Sequence, residues 1–389
     1  MKINDASLYI HIPYCVQKCQ YCDFASYVGK NNTINTYIHA IENEIAEFMQ
    51  VIDTVSLRTI FIGGGTPTIL SAQQLERLFS SIHKHFHLHP LIEFTVEANP
   101  GTITDEKLEV MKRYAVNRIS MGVQSMQQQE LNLLGRIHTV EDVCDTVERL
   151  HSYQLDNWNI DLMYGIPGQT LESWKSTLEQ AIDLAPQHIS TYSLKIEEDT
   201  PFYHKYHQGK LPLPDEDEVV AMYQHAIDML PQYKFMHYEI SNFAKGNNQS
   251  QHNLQYWRNH NYIGLGVSAA SYISNIRYTN PATIDQYIEK YQNKPDSNTW
   301  IQLLKNKIDT QSCSKSCQME DFVMLGLRTM DGISVSDFWE RYLVKFDNIF
   351  GSAVHKLITE NLIERTKSGY KLTNRGILFA NDVIEAFFE

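Results

Sequence analysis

Three cysteines constrain this chain most. Cys15, Cys19 and Cys22 stand in His11-Ile12-Pro13-Tyr14-Cys15-Val16-Gln17-Lys18-Cys19-Gln20-Tyr21-Cys22, a C-x3-C-x2-C spacing that follows directly on the apolar, strand-like run Leu8-Tyr9-Ile10. Three thiolates on one short loop can each bind one iron of a cubane [4Fe-4S] cluster, and because most such clusters take four cysteines, the fourth iron is left open for a ligand or for chemistry. The alternatives are a zinc knot, for which His11 would supply the fourth ligand, or three unrelated thiols. The other three cysteines form no disulfide framework, and this usage, like an oxygen-labile cluster, points to a reducing cytoplasm. The amino-terminal residues carry no signal-peptide pattern and no apolar run reaches the length of a bilayer.

Apolar, strand-like runs alternate with helical periods. Residues 7–12, 58–62, 92–98, 118–123, 158–163 and 188–194 read as strands, and 32–49, 71–85, 104–114, 139–153 and 171–184 as helices, with Ser71 and Thr104 as N-caps. Such repetition implies a parallel sheet with helices outside. Six repeats are too few for an eight-stranded barrel, so the expected α/β architecture is an open, partial (β/α)6 barrel over residues 1–235. Residues 216–230 read as a further helix and 236–243 as a strand, opening a barrel extension over 236–292 that contains a polar stretch at 246–261. A linker is expected at 293–318. From 319 to 389 helices flank a small hairpin, Asn361–Glu364 with Gly369–Leu372, in a mostly helical, winged-helix-like domain.

In barrels of this type functional groups gather at the C-terminal ends of the strands. Gly63-Gly64-Gly65-Thr66-Pro67 ends the second strand and lets backbone approach a ligand where a Cβ would collide, although a glycine run alone is also an ordinary tight turn. Glu97 ends the third strand, where a carboxylate can accept from a ribose diol or an ammonium group. Gln124 and Arg136 add an amide and a permanent cation suited to a carboxylate. Asp161 is a lone acid on a buried strand and needs a partner to offset its desolvation. Each of these could singly be an ordinary surface or core polar group.

The cysteine spacing after a first strand, with the Gly-Gly-Gly-Thr-Pro run, resembles the radical S-adenosylmethionine (SAM) superfamily, whose open iron is chelated by the amino and carboxylate groups of SAM. Over nearly the whole chain the strings resemble one branch of it, the anaerobic coproporphyrinogen dehydrogenase (HemN) group and the HemW heme chaperones. The resemblance implies SAM contacts from Tyr9, Tyr21, Gly64, Gly65, Thr66, Glu97, Gln124, Arg136, Asp161 and Ser193, and a HemN-type carboxyl-terminal domain carrying Met324-Leu325-Gly326-Leu327-Arg328 and Leu372-Thr373-Asn374-Arg375-Gly376. The dehydrogenase pattern continues with a fourth cysteine two residues after the third, where this chain has Phe24. The dehydrogenase also carries a longer segment before its first strand. Both differences favour the chaperones, as does His252-Asn253-Leu254-Gln255-Tyr256-Trp257, the H-N-x-x-Y-W string linked in that group to heme binding. An imidazole can ligate heme iron and aromatic rings can cover a porphyrin face, so His252, Asn253, Tyr256 and Trp257 are the heme-binding candidates; the bland reading is that His252 and Trp257 simply pack. Gly264-Leu265-Gly266-Val267-Ser268-Ala269-Ala270-Ser271 departs from the chaperone wording, which has a histidine here.

The resemblance implies a cytoplasmic heme chaperone that binds a [4Fe-4S] cluster, SAM and heme. Its partners would be heme, heme-acceptor proteins such as respiratory enzymes, and a second copy in a homodimer, with room for transient membrane association although nothing encodes an anchor. The alternative is an enzyme: reduction of SAM to a 5′-deoxyadenosyl radical and oxidative decarboxylation of coproporphyrinogen III, or radical chemistry on another substrate. A net charge of −13 without a basic stripe argues against nucleic-acid partners. His83, His85, His87 and His89 read as a solvated helix-to-strand loop in preference to a metal site, Cys313 and Cys317 as isolated thiols in preference to a helical thiol pair or redox contact, and Cys144 as a core residue.

Overall fold

The computed structural model describes residues 2–388 except 294–296. The first half is the expected alternation: β1 (Lys2–Ile12), α1 (Ile34–Val51), β2 (Thr54–Gly64), α2 (Ala72–His85), β3 (His87–Ala98), α3 (Asp105–Arg113), β4 (Arg118–Gln124), α4 (Gln128–Leu134), α5 (Val140–Ser152), β5 (Trp158–Tyr164), α6 (Leu171–Asp183) and β6 (His188–Ser193). Strands β1 to β6 pair in sequence order, all parallel. Their apolar residues are covered by helices outside and by the barrel interior, which is why they read as nearly continuous hydrophobic runs. Helix starts are fixed locally: Ser71, Thr139 and Thr170 each accept from the backbone N–H three residues on, and each donates its own backbone N–H to the side chain there, of Gln74, Asp142 and Ser173. Thr104 precedes α3 without a side-chain bond to its backbone.

The chain continues with α7 (Pro201–His207), α8 (Glu216–Met229), β7 (Phe235–Glu239), β8 (Asn242–Lys245), α9 (Gln251–Trp257), β9 (Tyr262–Leu265), β10 (Ala270–Ile273), β11 (Ile276–Thr279), α10 (Ile284–Tyr291), α11 (Trp300–Lys305) and β12 (Ile308–Ser312). The single strand expected at 236–243 is a hairpin, β7 and β8, because Glu239 turns the chain by accepting from the Ser241 backbone and the Asn242 side chain. This hairpin extends the sheet antiparallel beyond β6, while β9 lies parallel to β1 and leads to β10, β11 and β12. The sheet therefore stays open, with the order β12-β11-β10-β9-β1-β2-β3-β4-β5-β6-β8-β7.

The expected linker is instead partly structured. Thr299 caps α11 by accepting from Gln302 N, and β12 pairs with β11; the polar, unpatterned sequence reflects an edge strand whose five residues are all exposed. Residues 294–296 of that segment lie outside the described residues. Lys307, between α11 and β12, reaches into the interior, where its Nζ lies 2.5 Å from Glu44 Oε1 on α1. Glu44 also accepts from Tyr287 Oη at 2.6 Å and from Gly266 N at 3.0 Å.

The carboxyl-terminal domain comprises α12 (Lys315–Gly326), β13 (Ile333–Ser334), α13 (Val335–Tyr342), α14 (Phe346–Thr359), β14 (Ile363–Arg365), β15 (Gly369–Leu372), α15 (Asn374–Leu378) and α16 (Ala380–Glu385), with the three strands in the order β13-β15-β14. This is the winged-helix-like arrangement expected from the sequence, with the terminal helix divided at Phe379.

Removing Lys307 alone strands a carboxylate in the interior, a change that typically costs about 3–5 kcal/mol. Lys307→Met is expected to lower unfolding free energy in urea by that order. A loss below about 1 kcal/mol would mean that the tyrosine and backbone donors suffice for Glu44.

Candidate functional site

The loop after β1 is clamped on both sides. Cys15 N donates to Tyr27 O at 3.0 Å and Tyr27 N to Pro13 O at 2.7 Å, while Gln20 N bonds Leu134 O at 2.9 Å at the end of α4. The glycine end of β2 lies beneath: Gly65 N donates to Ile12 O and Thr66 N to Tyr14 O, both at 2.8 Å. A Cβ on Gly65 would stand 2.6 Å from Tyr14 O and 2.9 Å from Cys15 Sγ, so this is a close-approach glycine and more than a turn. Cys15, Cys19 and Cys22 line a cavity of about 130 Å³ together with Tyr21, Gly64, Gly65, Thr66, Glu97, Gln124, Arg136 and Asp161.

Burial pushes the Cys15 and Cys22 thiols up. Thiolates here therefore need a compensating cationic centre, which an iron cluster supplies. The zinc alternative has no ready fourth ligand: His11 Nε2 lies 2.9 Å from Ala25 O and Nδ1 2.8 Å from Tyr9 Oη, so a zinc ion would have to displace the Tyr9 hydroxyl. Arg136 is turned toward the thiols by Gly135, which ends α4 at φ +75°, a left-handed turn open to glycine. Its Nη1 donates to Cys19 Sγ at 3.4 Å and its Nη2 to Asn99 Oδ1 at 2.7 Å and Gly122 O. Arg136 Nε is buried with no partner among the described residues, a spare donor of the kind a ligand carboxylate takes up. Gln124 holds φ +75° at the end of β4, where the pairing with β5 shifts register; strain of this kind in a non-glycine residue is characteristic of binding sites. The thiol set, the glycine cradle and the unpartnered Arg136 donor fit a cluster with an anionic ligand beside it.

Two carboxylates close the other side. Glu97 accepts from Gly64 N at 3.0 Å, and burial together with the neighbouring Asp161 raises it to about 8. Asp161 has the partners its burial requires: Asn159 Nδ2 donates to it at 2.7 Å and Ser120 Oγ at 3.5 Å. Burial nevertheless raises its pKa. A cationic ligand would favour both in their charged forms.

Gly64, Glu97, Ser120 and Asp161, with the exposed Phe24, also border a second cavity of about 560 Å³, so the two are contiguous. Tyr9 belongs to this larger cavity, as do His252, Asn253 and Tyr256. Helix α9 is pinned there by Glu93 of β3, whose carboxylate accepts from Gln251 N and His252 N at 2.8 Å each. A buried anion at a helix amino terminus is favourable in itself. His252 stacks on Phe61 at 5.1 Å between ring centroids, and burial lowers its pKa to about 3. Thr59 donates its hydroxyl hydrogen to Ser7 Oγ at 2.8 Å, so at 2.9 Å its oxygen accepts from His252 Nδ1–H, and Nε2 then accepts from Tyr256 Oη at 3.0 Å. This assignment follows from the hydrogen-bond chain; it leaves the Nε2 lone pair unprotonated.

The structure separates other candidates from these walls. Ser193 ends β6 opposite Tyr164, outside the lining of either cavity. Trp257 lies on another side of α9, packed on Tyr238, Ala244 and Leu254 with the Arg328 guanidinium 5.7 Å from its ring, because one residue of helix turns it about 100° from Tyr256. Cys144 is half-buried beside the apolar face of α5, not in the core. The four histidines are not a loop: α2 runs to His85 and β3 begins at His87. Sequence reasoning missed Arg118, His188, Tyr192 and Tyr262 in the larger cavity. Arg118, a charge within a buried strand, carried the same signal as Asp161 and could have been found by it.

The comparisons show the family and the fold. The Radical SAM superfamily model matches residues 9–181 and the HemN C-terminal domain model residues 314–379. The Escherichia coli coproporphyrinogen III oxidase (HemN), a radical SAM enzyme of known structure, is similar with a TM-score of 0.83 over 99% of this chain and 90% of that one, at 22% identity; at that identity it speaks for the fold alone. Among curated relatives, heme chaperone HemW of Lactococcus lactis is 39% identical over 381 residues, covering 98% of this chain and 97% of the relative. HemW of Bacillus subtilis is 38% identical over 384 residues, covering 98% of each. The chain belongs to the HemW family of heme chaperones. HemW of Escherichia coli, 33% identical over 392 residues, likewise spans 100% of this chain and 99% of its own. In this HemW-family chain Ser268, Ala269 and Ala270, from the segment that departs from the chaperone wording, form part of the larger cavity's wall.

Gly65→Ala is expected to abolish iron and sulfide loading on reconstitution while far-ultraviolet circular dichroism stays unchanged; full loading would show that the loop can yield. Glu97 also sets a pH dependence. Between the ordinary 4.5 and about 8 the folded chain keeps a proton that the unfolded chain has lost, so cluster-free protein loses stability as pH rises through that window. Glu97→Gln should flatten this slope in urea midpoints. Identical slopes would mean that the carboxylate is ionised in the fold.

Proposed function

We propose that the chain is a cytoplasmic heme chaperone. It holds a [4Fe-4S] cluster on Cys15, Cys19 and Cys22, binds SAM beside it, takes heme into the larger cavity and passes it to heme-requiring proteins such as respiratory enzymes. The observation that carries this reading is His252, a neutral imidazole in the wall of a cavity contiguous with the cysteine pocket, whose unprotonated Nε2 is covered only by the Tyr256 hydroxyl. Neutral imidazole is the form that ligates heme iron.

Arg136 has the spare donor for the SAM carboxylate, and the backbone of Gly64, Gly65 and Thr66 leaves room for the amine end. Glu97 and Asp161 favour a cationic ligand, and Gln124, Tyr9 and Tyr21 complete the assigned contacts; Ser193 would have to act from outside the present walls. When bound, the cluster and SAM supply a redox-active centre sensitive to its ligand. In the larger cavity Tyr256 acts as a latch: its hydroxyl must leave His252 Nε2 before iron can take that place. Asn253 lines the same wall, whereas Trp257 supports α9 from behind. Among the described residues no helix is long and apolar enough to cross a membrane. The six free thiols suit a reducing compartment.

Anaerobically reconstituted protein is expected to bind heme stoichiometrically, with a shifted Soret band, and to give no decarboxylated product from coproporphyrinogen III with SAM and reductant. Product without a stable heme complex would overturn the chaperone reading in favour of the dehydrogenase. His252→Ala should change the heme spectrum and weaken binding by about tenfold or more, equivalent to about 1.4 kcal/mol, while Tyr256→Phe, which removes only the latch, should retain a wild-type heme spectrum.

A further inference from the structure

Outside both cavities, one side-chain cluster combines metal-ligating groups at the junction of the sheet and the carboxyl-terminal domain. Cys313 directly follows β12, and its N–H donates to Asn275 O at 2.8 Å in the turn between β10 and β11. Ser314 caps α12 by accepting from Cys317 N at 3.2 Å. Cys317 and Asp321 then stand one helical turn apart on α12, on one face. The two sulfurs and a carboxylate oxygen lie within 4.8 Å of one another, with Cys313 and Asp321 buried and Cys317 half-buried. Arg277 of β11 holds the carboxylate, its Nη2 2.6 Å from Asp321 Oδ2, the oxygen that also accepts from Cys317 Sγ at 3.9 Å.

We propose that Cys313, Cys317 and Asp321 form a site for a thiophilic divalent cation, with Zn2+ the natural occupant and water in the fourth position. Two thiolates and a carboxylate match the ligand preferences of zinc, and three protein ligands plus water is an established coordination. Charge explains the fourth residue. Two thiolates and Asp321 carry three negative charges, which a dication and the Arg277 guanidinium neutralise together. Without metal Asp321 pairs with Arg277, and because cysteine ligates as the thiolate, entry of the cation releases thiol protons. Arg277 also orients the ligating carboxylate, as outer partners in metal sites do. Occupancy ties the sheet edge at β11 and β12 to the first helix of the carboxyl-terminal domain. The proposal does not depend on the heme reading.

The test uses full-length, cluster-loaded protein cleared of loose metal on a chelating resin and titrated anaerobically with Zn2+. Native mass spectrometry should count one zinc on molecules that retain their four irons, and a weakly buffered titration should release about two protons per zinc. Cys317→Ser and Asp321→Asn should each weaken zinc binding by about tenfold or more with iron content unchanged. In the unaltered chain zinc should slow alkylation of Cys313 and Cys317, read by peptide mapping, a measurement that requires no variant to fold. Zinc bound equally well by Cys317→Ser, or alkylation at the same rate with and without zinc, would overturn the site.

Discussion

The approach of the β2 glycine end to the loop after β1 is the contact on which the site depends. Parallel neighbours β1 and β2 finish at the same level, and two backbone bonds, Gly65 N to Ile12 O and Thr66 N to Tyr14 O, fasten the cysteine loop across that end. The thiols are thereby held over the strand ends. Gly135 does the corresponding work from the other side, returning the chain so that Arg136 faces Cys19. The loop is thus positioned by main chain, and its side chains are left for binding.

From that fixed point the two cavities follow. Glu97, near the end of β3, and Asp161, in the middle of β5, project between them, so a charge change at either carboxylate is felt in both. The larger cavity owes its far wall to α9, a helix of seven residues that could not stand alone in water. Its place is set by Glu93, reaching from inside the barrel to two of its amino-terminal N–H groups, and by Ser250 at its cap. Heme-motif geometry is therefore a property of β3 as much as of the motif itself.

Much of this was legible in the sequence. The strand-helix alternation, the cysteine loop and the strand-end polar residues follow from local patterns and short-range spacing, and the structure brings nearly all of the SAM candidates into one pocket. What was not legible depends on long-range pairing. The hairpin of β7 and β8 turns on the Glu239 bonds, invisible in a run that reads as one strand. The 300–312 segment looked like a linker because its strand lies at an edge, with no buried face to impose a pattern, and because Lys307 finds its partner Glu44 across 263 residues. Trp257 sits in a string that reads as one unit, yet helical rotation by about 100° sends it to a different face from Tyr256.

The open sheet leaves β12 with one side unpaired, and all five of its residues face solvent. A bare strand edge is a template on which another chain can add itself. Here the exposed run, Ile308-Asp309-Thr310-Gln311-Ser312, is short and mostly polar, and Asp309 takes a positive φ of 48° that breaks the extended line. At this edge the missing seam therefore offers a second chain only a short, kinked and polar strand to pair with.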